Sequence, residues 1–169
     1  MVDRDSDTIK ISIRGKLETY KVIKVYEFNS DRKMMSVTVK RESDGVIINF
    51  GKGADMAITK RLKNIDEDDQ KLTDRLNEYA TTGLRTLMFS FRNLQQSDLE
   101  GEGPNDENEN VIEQDYELIG VTGVEDLLQD NVKDVITDFM KADIKVWMLT
   151  GDKGATARNI GKTCGIIED

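Results

Sequence analysis

At 169 residues, with 37% hydrophobic and 34% charged side chains, the chain has the composition of a soluble globular protein, long enough for one sizeable domain or one domain plus part of another. Its net charge of −9 and pI near 4.7 exclude nonspecific binding to nucleic acid and docking on anionic lipid, both of which need basic surface. The absence of histidine and the single cysteine, Cys164, exclude a His-based metal or nucleophile site and an internal disulfide, and no apolar run approaches the ~20 residues of a membrane span or forms a signal-peptide core.

In chain order, Ile9, Ile11 and Ile13 alternate with polar residues, Gly15 punctuates, and "YKVIKVYEF" (20–28) follows as a second strand. In "MMSVTVKRESDGVIINF" (34–50), Met35, Val37 and Val39 alternate before Ser43-Asp44-Gly45, and Val46 to Phe50 return, which predicts a hairpin. Leu72, Leu76, Tyr79 and Ala80 mark one face of a helix closed by Gly83, and Leu87, Phe89 and Phe91 give another alternating strand. From Asn93 to Val132 there is no lysine or arginine, and acids from Asp98 to Glu117, Glu113 among them, crowd half of that stretch. Its centre holds the only proline, Pro104, so residues 98–110 are expected to form an acidic flexible loop.

After that loop "YELIGVTGV" (116–124) resumes a strand, and Val132, Val135, Ile136, Phe139 and Met140 make a helical face. Ile144 to Leu149 is a nearly all-apolar run, which reads as a strand covered on both faces with Trp147 in the sheet core, and a last helix follows. Strand, helix, strand, helix is a parallel α/β unit. The fold class expected is therefore α+β: an antiparallel sheet with helices over residues 1–118, then a partial α/β parallel-sheet unit over 119–169.

Two stretches carry candidate chemistry. In open α/β sheets ligands sit beyond the carboxyl ends of strands, and Thr150-Gly151-Asp152 stands at such a junction. In "FGKGAD" (50–55) glycines flank Lys52, which reads either as a surface turn or as a point charge that a phosphate can approach closely; the P-loop spacing is absent. Phe28 is either an adenine platform or a strand-end core aromatic, and Arg85 either a phosphate ligand or a solvated helix-end charge. Arg32, Lys33, Lys40 and Arg41 form the one basic cluster, flanking phosphates or lying on a solvated hairpin face. Met34, Met35 and Met56 read as packing residues, Cys164 as an inert thiol, and the acids at 66–69 as a charged helix start rather than a metal site.

Taken together, "EFNSDRKMMSV", "GKGAD", "GLRTL", "LIGVTGVEDLLQDNV" and "IKVWMLTGDKGATARNIG" occur in the order found in the P-type ATPases. From about Tyr20 onward the chain resembles the cytosolic catalytic region of that family, and its wording is similar to the phospholipid flippase branch in particular. The resemblance implies a nucleotide-binding domain over 1–118, incomplete at its N-terminus, and a C-terminal fragment of a haloacid-dehalogenase-like phosphorylation domain over 119–169. Phe28 matches the aromatic that stacks on adenine, Lys52 and Gly53 the KGA floor of the nucleotide pocket, and Arg85 the arginine on the phosphate side. Thr150, Gly151 and Asp152 match the loop where γ-phosphate, Mg²⁺ and the acceptor aspartate meet.

The family's DKTGT acceptor motif and SPDE segment do not occur in this sequence, so the resemblance implies an ATP-binding piece of a lipid-translocating ATPase that forms no phosphoenzyme by itself. Leu127 stands where the family has the lysine of DKLQ, Ala155 replaces a glutamate, and the acidic loop is shorter than the family's helical arm. ATP and Mg²⁺ are the implied cofactors. A phospholipid and an accessory membrane subunit are the implied partners of the parent, at the cytosolic face of a membrane that this soluble part does not itself touch. The alternatives are the nucleotide-binding region of a cation pump and a non-catalytic interaction domain.

Overall fold

β-Branched and aromatic residues at every second position turn the first part of this chain into a sheet, and the computed structural model describes it over residues 3–4, 7–63, 68–99, 109–125, 127–152 and 154–167. The strands are β1 (Asp3–Arg4), β2 (Thr8–Ile13), β3 (Lys16–Asn29), β4 (Met34–Arg41), β5 (Ile47–Gly53), β6 (Arg85–Leu94) and β7 (Glu117–Val124). The helices are α1 (Asp55–Thr59), α2 (Asp68–Thr81), α3 (Glu109–Ile112), α4 (Val132–Lys141) and α5 (Gly154–Thr163), with a 3-10 turn at Gln96–Leu99. The strands lie side by side in sequence order from β1 to β7, and successive pairs from β1/β2 to β5/β6 are antiparallel.

The chain divides into two compact units, residues 1–66 with 87–121 and residues 67–86 with 122–169. In the first, the hairpin predicted at Asp44-Gly45 forms, and β2 and β3 pair antiparallel as well. Gly15 turns β2 into β3 at φ 81°, and Asp44-Gly45, with Gly45 at φ 73°, turn β4 into β5. Two irregularities, between Val22 and Lys24 and between Tyr26 and Asn29, bend the long β3. One sheet face packs Tyr26, Ile47, Leu94 and Ile112 into a core that Leu99 joins, and α1 buries Ala57 and Ile58.

In the second unit α2 ends before Gly83 (φ 81°), where Asn159 of α5 fills the space a side chain would need. The expected helix face of α2 is present, with Leu76 and Ala80 buried, whereas the face expected on α4 is not covered: Val135, Phe139 and Met140 are about half exposed and α4 buries no residue. Helix α5 buries Thr156 and Gly161. The expected strand at Ile144–Leu149 is not formed. The segment 144–150 pairs with no strand among the described residues, and Ile144, Trp147 and Leu149 are exposed, Trp147 to 82% and Leu149 to 97%, while Val146 and Met148 are half-buried. A strand covered on both faces needs neighbours at both edges, and β7, the other strand of the expected α/β unit, instead lies beside β6. The partial parallel-sheet unit is therefore not formed among the described residues, and Trp147 is not sheet core.

Two smaller expectations also change. Met56 is exposed, whereas Met34 is fully buried as a packing residue should be. Glu113, grouped in the sequence with the solvated acids, is buried beside Arg32. The loop expected at 98–110 falls for the most part, over 100–108, outside the described residues, as do the side chains of the acids at 66–69.

Candidate functional site

Register decides which side chains of the first unit share a surface. Met35 pairs with Lys52 and Lys52 with Phe89; Val37 pairs with Phe50 and Phe50 with Phe91. Because side chains alternate across a strand, these residues lie on one face of the sheet and Ser36, Thr38, Asn49, Gly51 and Ser90 on the other. The first face holds a cleft of about 390 Å³ lined by Met35, Val37, Phe50, Lys52, Phe89 and Ile119 among others. Its walls are apolar and aromatic, and Lys52 is the one cationic residue in the lining. An apolar, aromatic concavity with one charge at its edge suits a planar ring carrying anionic groups.

Gly51 and Gly53 flank that lysine for reasons the packing makes plain. A Cβ at Gly53 would lie 2.7 Å from the carbonyl oxygen of Lys33, and one at Gly51 would lie 3.0 Å from the phenol end of Tyr116. Backbone therefore passes close to β5 at Gly53, and a tyrosine ring does so at Gly51. The turn before β4 is bolted to the end of β5 by the Ala54 amide, which donates to the Lys33 carbonyl at 2.9 Å.

Phe28 lies near the end of β3 and is 62% exposed, which removes the core alternative for it. It does not line the cleft, but β3 neighbours β4, which carries Met35 beside Lys52. The basic cluster splits. Arg32 donates to the carbonyls of Tyr26, Glu27 and Met34 and lies 3.5 Å from Glu113, so it holds the turn together. Arg41 grips Asp44 with two hydrogen bonds of 2.9 and 2.7 Å, and this holds the Asp44 carboxyl below its ordinary value. Lys33 and Lys40 are exposed.

Thr150, Gly151, Asp152 and Arg85 belong to the second unit. The Asp152 amide donates to Thr150 Oγ1 at 3.0 Å, and Thr150 Oγ1 donates to Asp152 Oδ2 at 2.9 Å, which closes the loop on itself. Arg85 Nη2 lies 3.3 Å from the same carboxylate oxygen. Arg85 was expected with Phe28 and Lys52; here its partner is Asp152.

Sequence reading passed over Phe50 and Phe89 as strand residues and missed Asn49, Glu113 and Tyr116 beneath them. The period-two pattern on β5 and β6 carried the first two, since the strand register alone puts them beside Lys52. Nothing local marked the others, because their partners are 67 to 77 residues away.

Residues 6–131 match the family described as P-type ATPase, cytoplasmic domain N. The chain is 37% identical, over 99% of its length, to Phospholipid-transporting ATPase IC of Xenopus tropicalis, and 38% identical over 98% to Phospholipid-transporting ATPase C887.12 of Schizosaccharomyces pombe. It is 37% identical over 98% to Phospholipid-transporting ATPase DRS2 of Saccharomyces cerevisiae. It spans 15%, 14% and 13% of those three proteins.

Proposed function

This chain belongs to the P-type ATPases, in their cytoplasmic domain N, and from that premise we propose that it is the ATP-binding part of a phospholipid-transporting ATPase. The observation that carries this reading is the apolar, aromatic cleft with Lys52 as the one cationic residue in its lining. In this reading Phe50 and Phe89 give the nucleotide an apolar wall, Phe28 offers an exposed ring for the base, and Lys52 offsets phosphate charge. Gly53 lets β5 pack against the Lys33–Met34 backbone and so fixes the strand that carries Lys52. The cation-pump alternative is not favoured, since the relatives above are named as phospholipid transporters.

The Thr150–Asp152 loop of the second unit, taken by itself, reads as a phosphoryl-handling loop. Thr150 and Asp152 are pre-set by their mutual hydrogen bonds, and Arg85 holds the carboxylate in one orientation. One carboxylate and one hydroxyl fit Mg²⁺, a hard cation that keeps waters and takes further oxygens from substrate phosphates. When bound it would neutralise charge on the transferring phosphoryl group. Asp152 is the residue that would hold it, and Arg85 would then be the group that keeps the empty loop neutral. Coupling of ATP hydrolysis to phospholipid movement, the assignment of residues 1–118 and 119–169 to two domains, an accessory subunit and a place at the cytosolic face of a membrane are parts of the same proposal.

A titration of the purified chain with ATP, ADP, AMP and GTP, followed by NMR with and without Mg²⁺, tests it. Adenine-selective binding that weakens on Lys52→Ala and on Phe28→Ala supports the reading. An absence of saturable shifts at millimolar ATP overturns it for this chain.

A further inference from the structure

Beneath the lysine-bearing strand lies a buried hydrogen-bonded layer that the nucleotide reading does not use. The Tyr116 hydroxyl donates to Asn49 Oδ1, and Asn49 Nδ2 donates to Thr38 Oγ1 at 2.9 Å and Ser36 Oγ at 3.2 Å. Ser36 Oγ in turn donates to Glu113 Oε1 at 2.5 Å. Every one of these residues is at most 1% exposed. The layer ties two strands, β4 and β5, to one short segment, 113–116.

That segment is itself fixed. The Tyr116 amide donates to the Arg61 carbonyl and the Lys63 amide to the Tyr116 carbonyl, each at 2.9 Å. Arg92 of β6 donates to the carbonyls of Val111 and Gln114 at 2.8 and 3.2 Å. Tyr116 is thus anchored at its backbone from one side, and its ring fills the space above Gly51, where an added Cβ would lie 3.0 Å from the ring's Cζ and 3.1 Å from Ser90 Oγ. The residue after Gly51 is Lys52. A tyrosine so anchored sets how far β5 stands from the layer below it, and with that the height at which Lys52 leaves the sheet.

We infer that Tyr116, through Asn49 and the backbone of Gly51, is a positioning residue for Lys52 in the cleft; the inference rests on the nucleotide reading of that cleft for its functional consequence. Tyr116 does not touch the ligand. It acts by holding the strand that carries the ammonium group.

The test uses the full chain and two readouts: backbone amide shifts of Gly51, Lys52 and Gly53 without nucleotide, and the dissociation constant for ATP. Tyr116→Phe keeps the ring and deletes the hydroxyl; it should move those three amide signals and weaken ATP binding by up to about fivefold, since the lost bond is internal and only its effect on the position of Lys52 reaches the ligand. Leu76→Val, a buried change on α2 of the second unit, is the stability control and should leave both readouts unchanged. Gly51→Ala should weaken ATP binding as well, and in a Tyr116→Leu background, where the ring is gone, it should cost nothing further. Additive effects of those two changes, or equal effects of Leu76→Val and Tyr116→Phe, overturn the inference. If the wild-type chain binds no ATP while Tyr116→Phe still moves the Lys52 signal, the nucleotide reading fails and the positioning of Lys52 stands.

Discussion

Arg85 and Asp152 form an ion pair of 3.3 Å although 67 residues separate them, and the pair joins the start of β6 to the loop before α5 inside one compact unit. The side chains are 55% and 21% exposed, so water screens the attraction and the pair adds little to stability. Arg85→Ala is expected to lower the unfolding free energy by no more than ~1 kcal/mol in urea titrations. A loss above ~3 kcal/mol would place the pair in the class of buried bridges and contradict its exposure. In the phospholipid-transporting ATPase proposed as the parent, Asp152→Asn should abolish phosphoenzyme formation from ATP, and ordinary phosphoenzyme levels would sink the role given to this loop.

Two glycines predict opposite outcomes for one substitution. Gly53→Ala forces a Cβ to within 2.7 Å of the Lys33 carbonyl and 2.8 Å of Met34 Cα, both backbone atoms that cannot step aside. Its cost should be ~1–3 kcal/mol, as for other overpacked sites. A Cβ at Gly151 meets nothing within 4 Å, so Gly151→Ala should stay within about ±0.5 kcal/mol. Paired thermal melts check this, and equal effects would contradict the packing.

What the sequence disclosed and what it hid divide along contact range. The β2/β3 and β4/β5 hairpins were legible because alternation and turn residues such as Asp44-Gly45 lie within a few positions of each other. Lys52 between two glycines was legible as a candidate for the same reason. Glu113 was not: its neighbours in sequence are acids, and only the fold brings Arg32 and Ser36 to it from about eighty residues away. The apolar run at Ile144–Leu149 misled in the other direction. Its composition asks for burial, but composition cannot say which strand would pair with it, and among the described residues none does.

The Arg41–Asp44 pair gives the β4/β5 turn a pH dependence with a definite sign. Two hydrogen bonds from Arg41 hold the Asp44 carboxyl below its ordinary value of 3.8, so the unfolded chain takes up this proton first as pH falls. The stabilisation is fully present above 3.8 and is lost as pH falls through the lower, folded value. Asp44→Asn should therefore be less stable than the wild type at neutral pH, and the difference should shrink in strongly acid solution. Urea midpoints measured at neutral pH and on either side of pH 3.8 decide it. A difference that grows on acidification would mean that Arg41 does not hold the charged form.

Trp147 is the sole tryptophan and reports on the segment whose expected strand is absent. At 82% exposure, although its neighbours Val146 and Met148 are half-buried, its indole faces water and lacks the cover that a sheet core would give it. The folded chain should show the red-shifted emission of a hydrated indole, quenched by iodide almost as readily as after unfolding in urea. Leu149→Ser should leave stability within about ±0.5 kcal/mol, because an exposed leucine contributes no buried area. Blue-shifted emission shielded from iodide, or a loss of several kcal/mol on Leu149→Ser, would show that residues 144–149 are covered in solution. The apolar run would then have found the partner strand that its composition demands.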